Sequence, residues 1–271
     1  MPRTSANGVE LYYESLGEGR PIVFQGHDHS AWLFFQAPYF AQRYRVVTFD
    51  RRGTGRSSAP PGPWSIADLA RDLAGLVDAL ELERPVVVGS SLGGVIAAEF
   101  ALDFPGRASA VVIGHTVPYL DDLGRAWLEE QIAAAREGRP AIIRQPRSGA
   151  DEAEGPPTTD PAFAASEVGR LVSSVGTGIG RTPADSAKVL EAFRGWDQRP
   201  RYAELERLEV PTLVIVGERE PRTTIDLARE WHQHIPRSEF VVLPGAHHAA
   251  HREAPLRWNR AVEAFLARNH L

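Results

Sequence analysis

The sequence predicts an α/β fold: a mostly parallel central sheet with helices on both faces, interrupted by one inserted helical segment. Three observations carry that expectation. The runs RPIVFQG (20–26), YRVVTFD (44–50), PVVVG (85–89) and PTLVIVGE (211–218) are apolar almost throughout, as strands buried on both faces must be. Segments with apolar residues at i, i+3 and i+4 alternate with these runs. The interval 117–208 breaks the rhythm, with helical patterns and no convincing strand. Strands that alternate with helices place their crossovers on both faces of a parallel sheet.

The elements follow in order. Asn7-Gly8 between short alternating stretches, followed by VELYYES, reads as a hairpin. After the strand at 20–26, Ala31–Arg43 is aromatic-rich and helical in pattern, with Pro38 kinking or restarting it. Trp64–Glu83 is the clearest helix: Ile66, Leu69, Ala70, Leu73, Leu76, Val77 and Leu80 share one face, and Ser65 with Asp68 resembles a capping box. Next come the strand at 85–89, a helix over 92–104 stopped by Pro105, and a strand over Ala108–Gly114. Beyond the interval stand the strand at 211–218, a helix over Thr224–Ile235, a strand over Glu239–Leu243 and a last helix opened by Pro255. The resulting division is a core of 1–116 with 209–271, and a helical lid over 117–208. Within the lid, Asp121–Glu137, Ala162–Val175 and Pro183–Trp196 read as helices. The stretch SGADEAEGPPTTDP (148–161), with little to bury, reads as a mobile loop.

Composition excludes several classes. The 271 residues carry a net charge of −5 and no basic run, so no nucleic-acid partner is expected. The absence of cysteine removes disulfides, thiolate catalysis and Cys-ligated zinc. The beginning of the chain has no apolar segment of a secretory signal, and no run of ~18 apolar residues occurs. A cytoplasmic protein without a membrane partner is the expectation, and the sequence carries no signal of oligomeric state.

The chemistry centres on GSSLG (89–93). Gly-Xaa-Ser-Xaa-Gly at a strand-to-helix junction forms a strained turn that lifts the serine above the sheet, where helix N–H groups favour negative charge. Ser91 is the candidate nucleophile. A serine hydroxyl needs a base, and LPGAHHAAHREAP (243–255) supplies His247, His248 and His251 beyond the last strand.

These motifs resemble the α/β-hydrolase superfamily, and the resemblance covers nearly the whole chain outside the lid. The family's histidine loop commonly reads Pro-Gly-Ala-Gly-His, a second histidine three residues later, then Glu-Xaa-Pro. Here His247 replaces the glycine and His248 matches the catalytic histidine, with His247 as the fallback. The family's acid lies in a Gly-Glu-Xaa-Asp pattern. Gly217-Glu218-Arg219-Glu220 puts Glu220 at that position, with Glu218 competing, and the wording resembles some quorum-sensing lactonases of this fold. The resemblance implies an oxyanion hole made by the N–H groups of Leu92 and, in the loop Gln25-Gly26-His27-Asp28-His29, of His27; Gln25 stands where most members have His. Trp32 matches a tryptophan common in that loop. FDRRGTGRS (49–57) matches a family turn of structural role. Trp32, His29, His115 and Tyr119 are the residues expected to meet substrate.

The expected function is a serine hydrolase that uses a Ser91–His248–Glu220 triad on a small to mid-sized ester or lactone, with no cofactor and no metal. Four rivals stand beside it. A metal hydrolase could use His27-Asp28-His29, but the spacing matches no common zinc motif. A cofactor-free dioxygenase shares the fold and sometimes that tripeptide, but has a different sequence around the serine. A carbon–carbon bond hydrolase or lyase uses the same architecture. A non-catalytic ligand binder would be favoured by a broken triad. Haloalkane dehalogenase and epoxide hydrolase chemistry both need an aspartate where Ser91 stands.

Overall fold

The computed structural model describes residues 2–26, 30–139, 182–220 and 225–271. Among them, eight strands form one sheet in the order β1-β2-β4-β3-β5-β6-β7-β8: β1 (Arg3–Ala6), β2 (Val9–Leu16), β3 (Arg20–Gln25), β4 (Tyr44–Phe49), β5 (Val86–Ser90), β6 (Ala110–Gly114), β7 (Thr212–Gly217) and β8 (Ser238–Leu243). The first two pair antiparallel, and β2 runs antiparallel to β4. From β4 across to β8 all pairings are parallel. Asn7 and Gly8 turn the hairpin with positive φ values of 49° and 74°, as a two-residue turn of this kind requires.

Every residue of β5, β6 and β7 is buried, which explains their uninterrupted apolar spelling. One face packs on helix Ile66–Ala79 and helix Leu92–Asp103, through residues such as Leu69, Leu73, Leu76, Ile96 and Phe100. Trp32, Phe40, Trp258 and Phe265 fill the other face against Phe24, Val88 and Ile215. Ser65 caps the helix Ile66–Ala79 in a reciprocal capping box with Asp68, so the helix begins two residues after Trp64 rather than at it. Its C-terminal side stops before Glu81, which has a φ of +50°.

The aromatic stretch after β3 is not one helix. It forms two four-residue helices, Ser30–Leu33 and Ala37–Phe40, because Pro38 can open a helix but cannot donate within one. The turn at 50–57 is pinned from several sides. Asp50 Oδ2 accepts the Arg56 N–H (2.7 Å), and Arg52 forms a bidentate buried pair with Asp72 at 2.6 Å. Asn7 donates to the same Asp72 (2.9 Å), which ties the hairpin turn to this corner.

In the interval 117–208 the helices Asp122–Arg136 and Pro183–Arg194 pack on each other, burying Leu128, Ile132, Val189 and Leu190 with Trp64 and Val117. Thr182 caps the second of these helices by accepting the Asp185 N–H. The expected helix Ala162–Val175 and loop 148–161 lie outside the described residues. Among the described residues, no helix is long and apolar enough to cross a membrane.

Candidate active site

The sheet order puts β5 at the centre, and its carboxyl end turns abruptly into helix Leu92–Asp103. At the turn Ser91 has φ 55° and ψ −123°, a strained conformation for any residue with a Cβ. Such sharpness needs glycine neighbours: a Cβ on Gly89 would overlap the Gly93 carbonyl group, and one on Gly93 would overlap the backbone of Gln25. The Ser91 N–H bonds to Gly114 O (2.8 Å), which fixes the elbow to β6.

The candidate base comes from the loop after β8. This loop is knitted to the one after β7, with the Arg219 N–H on Ala246 O (2.9 Å) and the Gly245 N–H on the Glu218 carboxylate (2.7 Å). Gly217 permits that closeness, since a Cβ there would overlap the carbonyls of Ala246 and His247. The result sets His248 between two partners: Nε2 is 3.0 Å from Ser91 Oγ, and Nδ1 is 3.0 Å from Glu220 Oε2. A carboxylate only accepts, so Nδ1 carries the proton and Nε2 is left to accept from the Ser91 hydroxyl.

Glu220 is fully buried at its side chain, whereas Ser91 and His248 are half-buried. Burial alone would push the Glu220 carboxyl up. The facing imidazoles of His248 and His115 outweigh it and hold the group at about 2, against an ordinary 4.5. The arrangement can therefore draw a proton from the serine and stabilise the imidazolium that results.

The competing residues separate cleanly. Glu218 is exposed and serves the loop through Gly245. The His247 N–H donates to Glu253 Oε2 (2.6 Å), and its ring faces the same carboxylate. Leu92, as first residue of the helix, brings its N–H beside Ser91. His27 and His29 lie outside the described residues.

Three residues expected to meet substrate have other surroundings. Trp32 has no exposure; its ring packs on Phe24, Trp258 and His251, within the apolar cluster on one face of the sheet. The Tyr119 hydroxyl donates to Glu230 (3.1 Å) and its ring lies under the Arg199 guanidinium, which ties the interval to helix Ile225–His234. His115 is wholly buried beside Glu220. That contact escaped the sequence reading. Its only signal was a histidine directly after β6, on the strand next to the one carrying the acid.

A family model described as "Alpha/beta hydrolase family" matches residues 23–261. The 3-oxoadipate enol-lactonase 2 of Acinetobacter baylyi is 30% identical over 97% of this chain and 96% of its own. The solved enol-lactonase of Burkholderia xenovorans LB400 superposes with a TM-score of 0.80 at 27% identity, covering 98% of this chain and 100% of that one. A 2-hydroxy-6-oxo-2,4-heptadienoate hydrolase from Pseudomonas putida is 32% identical over a shorter stretch, 45% of this chain and 48% of its own. With the family model matching residues 23–261 and the structure superposing over 98% of the chain, the chain belongs to the alpha/beta hydrolase family.

Proposed function

We propose that this protein is a serine hydrolase that cleaves a small to mid-sized carboxylic ester or lactone through an acyl-enzyme on Ser91. The observation that carries the reading is the continuous hydrogen-bonded line from Ser91 Oγ through His248 to Glu220, both links at 3.0 Å. His248 takes the hydroxyl proton as Ser91 attacks the carbonyl carbon, and Glu220 holds the imidazole in the tautomer that can accept it. Developing charge on the carbonyl oxygen is met by the Leu92 N–H at the start of its helix, and the His27 N–H is the second donor the reading calls for. His248 then protonates the leaving alcohol. In a lactone that alcohol stays attached to the acyl group, so ring opening gives a hydroxyacyl-enzyme, and water discharges it by the reverse route.

The lactone side of the substrate class is supported by two enol-lactonases, one similar in sequence and one in structure across nearly the whole chain. We read helices Asp122–Arg136 and Pro183–Arg194 as part of a lid, since their shared apolar cluster leans on Leu92 beside the nucleophile. A second reading, hydrolysis of a carbon–carbon bond next to a carbonyl, is favoured by the partial likeness to the heptadienoate hydrolase and would use the same relay.

The experiment is a panel of p-nitrophenyl esters, γ- and δ-lactones, enol-lactones and vinylogous diketones, run on the wild type and on Ser91→Ala. Turnover of an ester or lactone, reduced on the order of 10⁴-fold or more by the substitution, is the expected result. Activity that survives in Ser91→Ala contradicts the covalent route. Turnover confined to the diketones moves the reaction to the second reading.

A further inference from the structure

The carboxylate of Glu220 has two oxygens, and the relay uses one. Oε2 accepts from His248; Oε1 faces His115, whose Nδ1 is 3.3 Å away. Neither of these two side chains has any solvent exposure. His115 follows β6 directly and is held by its own N–H on Ile215 O (2.9 Å), with a φ of +55°. That conformation is strained for a residue with a side chain, and strain of this kind collects at functional positions. Both ring nitrogens of His115, and Glu220 Oε1 as well, are buried without a hydrogen bond, so the 3.3 Å approach is the polar contact each makes there. An imidazole left without a hydrogen bond in the interior is a poor packing residue, so its approach to the carboxylate calls for an explanation.

Resting on the hydrolase reading above, we propose that His115 is a positioning residue: as a neutral Nδ1–H imidazole it holds Glu220 Oε1, which aims Oε2 at His248. The tautomer follows from the surroundings. A carboxylate accepts only, so the nitrogen that faces it carries the proton. A second proton on Nε2 would be a buried charge-bearing donor with nothing to receive it. The 3.3 Å separation is a close contact that stops short of a hydrogen bond. The groups that face His115 from the elements around it are Glu220 on the β7 loop, His251 on helix Ala250–Glu253, with ring centres 5.8 Å apart, and His248 through the shared carboxylate. A donor held at Oε1 opposes rotation of the carboxylate away from His248, and the His115 contact is among those that hold the carboxyl below its ordinary range.

The test compares His115→Leu, which removes the donor, with His115→Asn, whose amide keeps an N–H at the place of Nδ1 and tolerates positive φ. The readout is the rate at which a fluorophosphonate probe labels Ser91 across pH 5–9, a measurement that needs no knowledge of the natural substrate. Thermal melts report whether each variant is folded. In folded His115→Leu, labelling at pH 7 falls by about 10- to 100-fold, the range that one hydrogen bond to a charged group spans. Its acid limb moves to lower pH, because a carboxylate no longer held towards His248 stabilises the imidazolium less. His115→Asn stays within about 3-fold of the wild type, with an unmoved limb. If His115→Leu does not fold, His115→Asn with an unmoved limb still supports the role, and His115→Asn impaired as fully as a disabled relay overturns it. Equal labelling and superimposable profiles in all three proteins overturn the positioning role alone. A wild type that the probe does not label at Ser91 overturns the hydrolase reading and this role with it.

Discussion

Ser90 and Ser91 are neighbours in sequence, and each faces a histidine. Ser91 Oγ lies 3.0 Å from His248 Nε2, and Ser90 Oγ lies 3.4 Å from His251 Nδ1. What differs is everything around the pair. Ser91 and His248 are half-buried, on the solvent side of the carboxyl edge of the sheet, and Glu220 backs their ring. Ser90 is the last residue of β5 and is buried. His251 is buried as well, packed on Trp32 with ring centres 4.7 Å apart. A serine beside a histidine is thus not enough for nucleophilic chemistry. The hydroxyl must also be reachable by a substrate, as Ser91 is and buried Ser90 is not. The strained turn at Ser91 separates the two by lifting one side chain out of the strand that holds the other.

Substitutions can break this contrast, and the sizes of their effects should rank with it. Below Ser91→Ala, the largest loss is expected from Glu220→Gln. It leaves the site its shape but lets the amide donate to His248, which invites the wrong tautomer; a fall in kcat of roughly 10³- to 10⁴-fold should appear in steady-state kinetics on whichever ester or lactone the wild type turns over. The same variant has a signature in stability. Because the native Glu220 carboxyl is held at about 2, below its ordinary 4.5, the stability it contributes is complete above pH 4.5 and is lost as pH falls from 4.5 towards 2. Denaturant titrations across that window should show a steeper decline for the wild type than for Glu220→Gln, by a total on the order of 3 kcal/mol.

Ser90→Ala should be mild. It removes one long hydrogen bond from the core, so a loss of stability of about 1 kcal/mol with kcat within a few-fold of the wild type is expected in melts and kinetics run side by side. A loss as large as that of Ser91→Ala would erase the distinction between the two serines. Smallest of all is Glu218→Gln, since the amide oxygen can still accept the Gly245 N–H from an exposed position; its kcat should equal the wild type within about 2-fold. A severe defect there, with Glu220→Gln silent, would transfer the acid by two residues.

The part of the molecule legible in the sequence is the part where backbone stereochemistry restricts residue type. The elbow needs glycine at 89 and 93, and Gly217 is needed where the two loops touch, so those turns announce themselves. The strands of the parallel core are spelled by their burial on both faces. Between Glu218 and Glu220, and between His247 and His248, the sequence offers no contact; in the structure Glu218 and His247 bond within the β7 and β8 loops, whereas Glu220 and His248 face each other. Other features have no local spelling. His115 meets Glu220 because β6 and β7 pair with Gly114 opposite Ile215, and neither strand writes that register on its own. Aromatic rings such as Trp32 and Tyr119 suggest a pocket in sequence, but rings fill cores and join elements just as often; in the structure one packs in the core beside the sheet while the other bonds to Glu230. The restart of the helix at Pro38 was half legible: proline announces an interruption but does not say how much helix survives on either side.

The central claim is that Ser91 carries the acyl group. Intact-mass spectrometry of the wild type, quenched with acid during turnover of a slow ester and followed by peptide mapping, tests it directly. The account predicts a mass increase equal to the acyl group, confined to the peptide that contains Ser91 and lost on continued incubation in water. An adduct mapped to any other residue, or steady turnover with no adduct under conditions where deacylation is slow, would contradict it.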